Sequence, residues 1–458
     1  MTSKSGNDAS RTDSMGTDNI GRLLFKFSVP AIIGMLVHAM YNVVDRIFIG
    51  QGVGSLAIAG LTIAWPVMLI SLSLCMLVGH GATAVISIRL GEKKRAEAEK
   101  VLGNAFVLIT VLFTILSVVG LVFLKPILIL FGANETILPL SEAYLRIILF
   151  GFLFNGWGFL LNNTIRGEGK PKIAMITMLI GAVLNMILDP LFIFVFNWGI
   201  EGAAIATVIS NFVSALWLFL YYLSGKSLLK IRVKNFRLSW KIVSSIVAIG
   251  FAPFAMQFVG SIISTLFNHQ MMIYAGEVGV SVIGIIFSIN MMVLMPAIGI
   301  AQGAQPIIGY NFGARDFSRV KAALRLAIIA ASAISMAFFT LLILFTAPLV
   351  KLFNSNDIEF VTLGIKSVRT ACVFLPLVGF QIVGSTYFQA VGKAGTSALL
   401  SISRQFIFLI PALLILPKFF GVSGVVGALP VSDLGAAIVT GAFVIKEMTK
   451  LEKKKGQV

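Results

Sequence analysis

Charge is what this sequence has least of. Asp, Glu, Lys and Arg make up 12% of its 458 residues, where a soluble domain carries roughly 25%. Cysteine and histidine are nearly missing too. Cys75 and Cys372 both fall inside apolar runs, so no disulfide framework is implied. His38, His80 and His269 fit no metal-ligand spacing. Neither His-Glu-x-x-His nor Gly-x-Ser-x-Gly occurs, which leaves no signature of a zinc protease or a serine hydrolase. The run Gly225-Lys226-Ser227 lacks the glycine a phosphate loop needs five positions earlier, where Leu220 stands. The Gly-rich run from Gly50 is no dinucleotide fingerprint either. No enzyme and no cofactor is expected, and any work this chain does must draw on an ion gradient rather than on ATP. Residues 1–19 have no apolar core, so they are no signal peptide and read as a disordered cytoplasmic tail.

What is present is hydrophobic. Apolar residues make up 58% of the chain. Runs of twenty or more recur along it, each long enough to cross ~30 Å of hydrocarbon as a helix. The alternating ~10-residue segments of a membrane barrel are absent. The sequence predicts an all-α integral membrane protein with twelve spans. They fall near 22–49, 58–88, 101–124, 139–164, 173–196 and 202–223, then 242–274, 281–309, 326–347, 364–389, 398–417 and 425–445.

The two halves say the same thing. Gly81 matches Gly303, Gly91 matches Gly313, Gly169-Lys170 matches Gly392-Lys393, and Gly202 matches Gly424, at offsets of 222 or 223 residues. Two pairs of prolines also match, Pro30 with Pro253 and Pro190 with Pro411. Six spans per repeat is an even number, so both repeats enter the membrane from one side and are parallel. The expected layout is a first lobe over 20–223, a basic linker over 224–241, a second lobe over 242–446 and a basic tail over 447–458. The default binding site is a cavity between the lobes. Each matched proline removes a backbone hydrogen bond from its helix, and Pro30 marks a bend in the first span.

The net charge of +17 raises the question of nucleic acid. Placement argues against it. Basic residues crowd alternate loops, while the opposite loops carry only Lys125, Lys351 and Lys418. That is the positive-inside asymmetry of a multi-pass protein in the cytoplasmic membrane with both termini inside. The partner implied is the lipid bilayer, not DNA or RNA.

Ionisable groups within spans are costly and are read as functional. Three acids qualify: Asp45, Asp189 and Asp433. Asp45 aligns with Asn268 and Asp189 with about Ile410, so the acidic pair belongs to the first repeat alone. At ~1.5 Å rise per residue, Asp45, Asp189 and Thr207 lie within roughly 5 Å of one level. Asn185 is one turn from Asp189, and Tyr41 one turn from Asp45. Two carboxylates in one desolvated site cannot easily both stay charged; one takes a proton, or a cation screens both. These residues form a candidate coupling-ion site. Arg46 points about 100° away from Asp45 and is expected to snorkel outward or pair elsewhere rather than neutralise it. Asp433 stands alone, either structural or cavity-lining. In the second repeat, Met256, Met291 and Met295, with Gln257 and Gln305, offer an adaptable wall for substrate, although a Met-rich helix is more often plain packing.

Several stretches together carry a resemblance: "YNVVDRIFIG" from Tyr41, "RGEGKPK" from Arg166, "LNMILDPLFIF" from Leu184, "GAAIATVIS" from Gly202 and "GAQPIIGYNFGARD" from Gly303. With these the chain resembles the multidrug and toxic compound extrusion (MATE) transporters, in the prokaryotic branch that includes the DNA-damage-inducible members, over essentially everything past residue 20. The resemblance implies two six-helix bundles in a V, working as a monomer, and export of drugs in exchange for H⁺ or Na⁺. It implies a first-lobe cation site of Asp45, Asn185, Asp189 and Thr207, with roles for Tyr41 and Pro30. Charge logic makes amphipathic organic cations the expected cargo. A flippase for lipids or lipid-linked sugars is the alternative. It would want basic residues lining the cavity, for which Arg146, Lys366, Arg369 and Arg404 are the candidates.

Overall fold

Among the described residues, ten helices are long and apolar enough to cross a membrane. Two interruptions bring the number to twelve spans. Ile358–Ala371 and Leu375–Ala390 form one span bent by 46°, and the apolar stretch Ala394–Glu452 divides at Gly421, whose φ is 55°. The computed structural model describes residues 15–53, 55–131, 133, 135–353 and 358–455. Spans 1 to 6 are Ile20–Gly52, Ser55–Gly91, Arg95–Val122, Leu138–Gly167, Pro171–Val195 and Gly199–Leu223. Spans 7 to 9 are Trp240–Gly276, Ser281–Gly313 and Phe317–Phe353. Span 10 is the bent pair, and spans 11 and 12 lie either side of Gly421. Of the tail expected to be disordered, residues 1–14 lie outside the described residues. Met15 is fully buried and packs over Gly169.

The repeat in the sequence is a repeat in backbone angles. Gly199 and Gly421, 222 residues apart, both take φ 55° at the turn into the last span of their repeat. Lys93 and Arg315, also 222 apart, take φ 60° and 61°, unusual for residues with a Cβ. Gly169 and Gly392 both have positive φ after the fourth span of each repeat. The matched prolines of spans 5 and 11 each adjoin a π-helical turn, Leu191–Val195 after Pro190 and Ser403–Leu409 before Pro411. A proline cannot donate into the ladder, and a local π turn is one way for a membrane helix to absorb the loss.

The chain forms two compact units. They do not divide at the linker. The chain changes unit within span 1, between Ile32 and Ile33, and within span 7, between Phe254 and Ala255. Pro30 and Pro253 stand within two residues of those crossings. In the first unit, span 4 packs on spans 2, 3 and 6. Span 2 approaches span 7 so closely that a Cβ on Gly81 would lie 2.1 Å from the Ile246 carbonyl oxygen. In the second unit, span 8 approaches span 1 in the matching way, with Gly303 against Ser28. The second unit's core gathers Phe267, Met271, Val282, Ile286, Leu375 and Leu413.

Candidate functional site

Four of the residues singled out in the first repeat meet inside the first unit. Asp45 comes from span 1, Asn185 and Asp189 from span 5, and Thr207 from span 6. The i, i+4 spacing of Asn185 and Asp189 sets them one turn apart on one helix face. The Asn185 amide donates to Asp189 Oδ1 at 3.1 Å and approaches Thr207 Oγ1 at 3.4 Å. The Asp45 carboxyl stands close enough to the Asp189 carboxyl for the two to interact. Asp189 is fully buried, Asn185 is 2% exposed and Asp45 8%.

That arrangement is short of positive charge. Two carboxyls face each other, and a carboxylate only accepts. Asp189 Oδ2 and Asn185 Oδ1 are buried without a hydrogen-bond partner among the described residues, and no basic side chain described there forms an ion pair with Asp189. A buried acceptor left without a donor is costly. A proton shared between the carboxyls, or a small cation held by oxygens of Asp45, Asp189, Asn185 and Thr207, would satisfy them. This donor set of carboxylate, amide and hydroxyl oxygens suits a hard monovalent cation. No group of three His, Cys, Asp or Glu that could hold a metal ion occurs among the described residues. The side chains of Arg46 and His38 lie outside the described residues.

Beside the carboxyls lies a cavity of about 40 Å³, lined by Tyr41, Asp45 and Thr207 together with Leu61, Trp65, Met68 and Tyr144. It has room for a water or a small ion, not for a drug-sized molecule. Nothing in the sequence marks Trp65 and Tyr144 as lining residues. A single aromatic within an apolar span has no periodic signal. Asn185 and Asp189 sit behind the lining rather than on it.

The second unit differs. Asp433 is not alone: Arg404 Nε donates to Asp433 Oδ1 at 2.9 Å, with a second guanidinium nitrogen at 2.8 Å. The π turn that carries Arg404 on span 11 faces Asp433 on span 12, and the two charges cancel. The methionines scatter by burial. Met271 is fully buried in the core, Met291 is 57% exposed, and Met256 and Met295 are half-buried. Gln257 is half-buried and Gln305 buried. The Met256 carbonyl accepts from the Gln405 amide at 3.3 Å. Of the other basic residues considered as cavity lining, Arg146 pairs with Glu142 on its own helix, and Lys366 and Arg369 are exposed. His80 is buried against Phe159, and His269 is exposed.

Comparison with known proteins agrees with the duplication. The MatE family pattern matches residues 30–191 and again 251–414. The multidrug export protein MepA of Staphylococcus aureus is 28% identical over 429 residues, 92% of this chain and 93% of that protein. A multidrug resistance MATE family transporter of the MOP superfamily, solved in an outward-facing conformation, superposes with a TM-score of 0.90 at 26% identity, over 96% of this chain and 98% of the other. A MOP superfamily transporter from Pyrococcus furiosus gives the same TM-score, identity and coverage, and its binding pocket is described as having reversed polarity, suggesting a different function. With the family pattern present twice and covering most of the chain, this protein belongs to the MatE family and is a multi-pass membrane transporter rather than an enzyme.

Proposed function

We propose that the protein is a secondary active multidrug efflux antiporter of the cytoplasmic membrane, with both termini inside, that exports amphipathic organic cations in exchange for H⁺ or Na⁺. The observation that carries the coupling is the buried pair Asp45 and Asp189, two acceptors facing each other beside an oxygen of Asn185 that has no donor among the described residues. The Staphylococcus relative is a multidrug export protein, which supports the cargo class. With the site empty of its coupling ion, uncompensated negative charge in a low-dielectric interior attracts an organic cation to the lobe. Binding of H⁺ or Na⁺ removes that charge and the attraction with it. Exchange follows because the two ligands favour different states of one protein.

The flippase reading calls for basic residues free to hold an anionic headgroup. The pairing of Arg146 with Glu142 and of Arg404 with Asp433 weighs against it. The direct test is displacement. Purified protein in detergent should bind tetraphenylphosphonium, and lowering the pH or adding Na⁺ should release it. Asp189→Asn, which mimics the neutralised site, should bind the probe more weakly and without responding to either ion. Ion-insensitive binding by the unaltered protein would contradict the proposal.

A further inference from the structure

The linker between spans 6 and 7 is more than a connection. It begins after Leu223 and ends at Trp240, so both ends lie where helices leave the membrane. Sixteen residues tethered at both ends to that surface keep their charges where anionic headgroups attract them.

The strap also has a fixed shape. Ser227 Oγ donates to Glu168 Oε2 at 2.7 Å, and the Leu228 backbone N–H donates to the same oxygen at 3.0 Å. Asn104 on span 3 donates to the carbonyls of Asn235 and Arg237 at 3.3 and 3.2 Å and accepts from the Ser239 N–H at 2.7 Å. Gly103 makes room for this approach, since a Cβ there would lie 2.5 Å from the Asn235 oxygen. Phe236 stacks on Phe106 with ring centres 5.8 Å apart. The backbone and the polar side chains that could wander are therefore tied inward.

What points outward is basic and apolar. Lys226, Lys230, Lys234, Arg237 and Lys241 are all exposed, and none forms an ion pair among the described residues; Arg232 alone pairs, with Glu99 at 3.2 Å. Interleaved with them are Val233, Leu238 and Trp240, exposed by 80%, 54% and 82%. Orientation by positive charge needs only that the charges be present. It needs neither a rigid backbone nor large apolar side chains turned to the outside. An aromatic ring at the boundary with cations beside it matches the acyl edge and the phosphate of a lipid. A preformed array also loses little entropy when it binds.

We propose that residues 226–241 form a built binding site for anionic phospholipid headgroups on the first unit, with Lys230, Lys234 and Arg237 holding the phosphate and Trp240 seated at the acyl boundary. The site is separate from the carboxyl pair and does not depend on what the transporter exports.

The experiment titrates the full chain in detergent with phosphatidylglycerol or phosphatidylcholine and counts adducts by native mass spectrometry. Phosphatidylglycerol should be retained preferentially. A Lys230→Gln, Lys234→Gln, Arg237→Gln variant should lose that preference by roughly fivefold per charge removed, with its melting temperature kept, because all three side chains are exposed. A Lys351→Gln, Lys418→Gln control on the opposite loops should retain it. Equal retention of both lipids by the unaltered protein, or undiminished preference in the triple variant, would overturn the proposal. So would an oligonucleotide that binds the strap while phosphatidylglycerol does not.

Discussion

Asp189 is the residue on which the most depends. It is fully buried, accepts one amide hydrogen bond from Asn185, and faces a second carboxyl. Replacing it with asparagine keeps the volume and removes the charge that a proton or cation would neutralise. Asp189→Asn should therefore leave a folded protein that exports at a background rate, measurable as dye efflux from energised cells. Glu168, in the turn after span 4, gives a prediction about stability instead. Burial pushes its carboxyl from the usual 4.5 up to about 7, against the pull of Ser227, Lys170, Leu228 and Tyr222. The folded state then holds the proton more tightly than the unfolded chain. The contribution is fully present below about pH 4.5 and is lost as pH rises through about 7, on the order of 3 kcal/mol. Thermal unfolding at stepped pH should show that decline, and Glu168→Gln should flatten it. The carboxylates, amide and hydroxyl of the site were legible in the sequence because a polar group in an apolar span stands out and helical rise fixes its depth. Tyr144 and Trp65 were not, since an aromatic ring in such a span looks like any other packing residue.

At the scale of elements, close helix approach and buried pairing decide what can be changed. Gly81 and Ile246 bring spans 2 and 7 together with no room for a side chain. Gly81→Leu should destabilise by about 1–3 kcal/mol or more, seen as a lower melting temperature in detergent, and Gly303→Leu should do the same in the second unit through Ser28. Spans 11 and 12 are joined by Arg404 and Asp433. Arg404→Leu leaves a buried carboxylate without its partner, a loss of about 3–5 kcal/mol. Adding Asp433→Leu should recover part of it, and no recovery in the double variant would mean the pair is not what joins these helices. The number and order of spans were readable from hydropathy, because twenty apolar residues have few other uses. The bend in span 10 and the π turns beside Pro190 and Pro411 were not. They depend on how a helix relieves a lost hydrogen bond, and the proline alone does not say which way.

For the whole molecule, duplication and asymmetry have to be held together. Backbone angles recur at a spacing of 222 residues, and Pro30 and Pro253 both stand where the chain passes from one unit to the other. That exchange was invisible in the sequence, where the basic linker looked like the boundary, because contacts between distant segments leave no mark on local composition. Against this shared frame the chemistry is uneven. The first unit holds facing carboxyls, whereas the second cancels its acid with an arginine. A transporter built this way should couple through one lobe. The most direct measurement is efflux of a fluorescent organic cation from liposomes under an imposed pH gradient and then a Na⁺ gradient, with Asp45→Asn and Asp189→Asn beside the unaltered protein. The account predicts efflux driven by one of the two gradients and lost in both variants. Gradient-driven efflux that survives in Asp189→Asn, or none under either gradient, would contradict it.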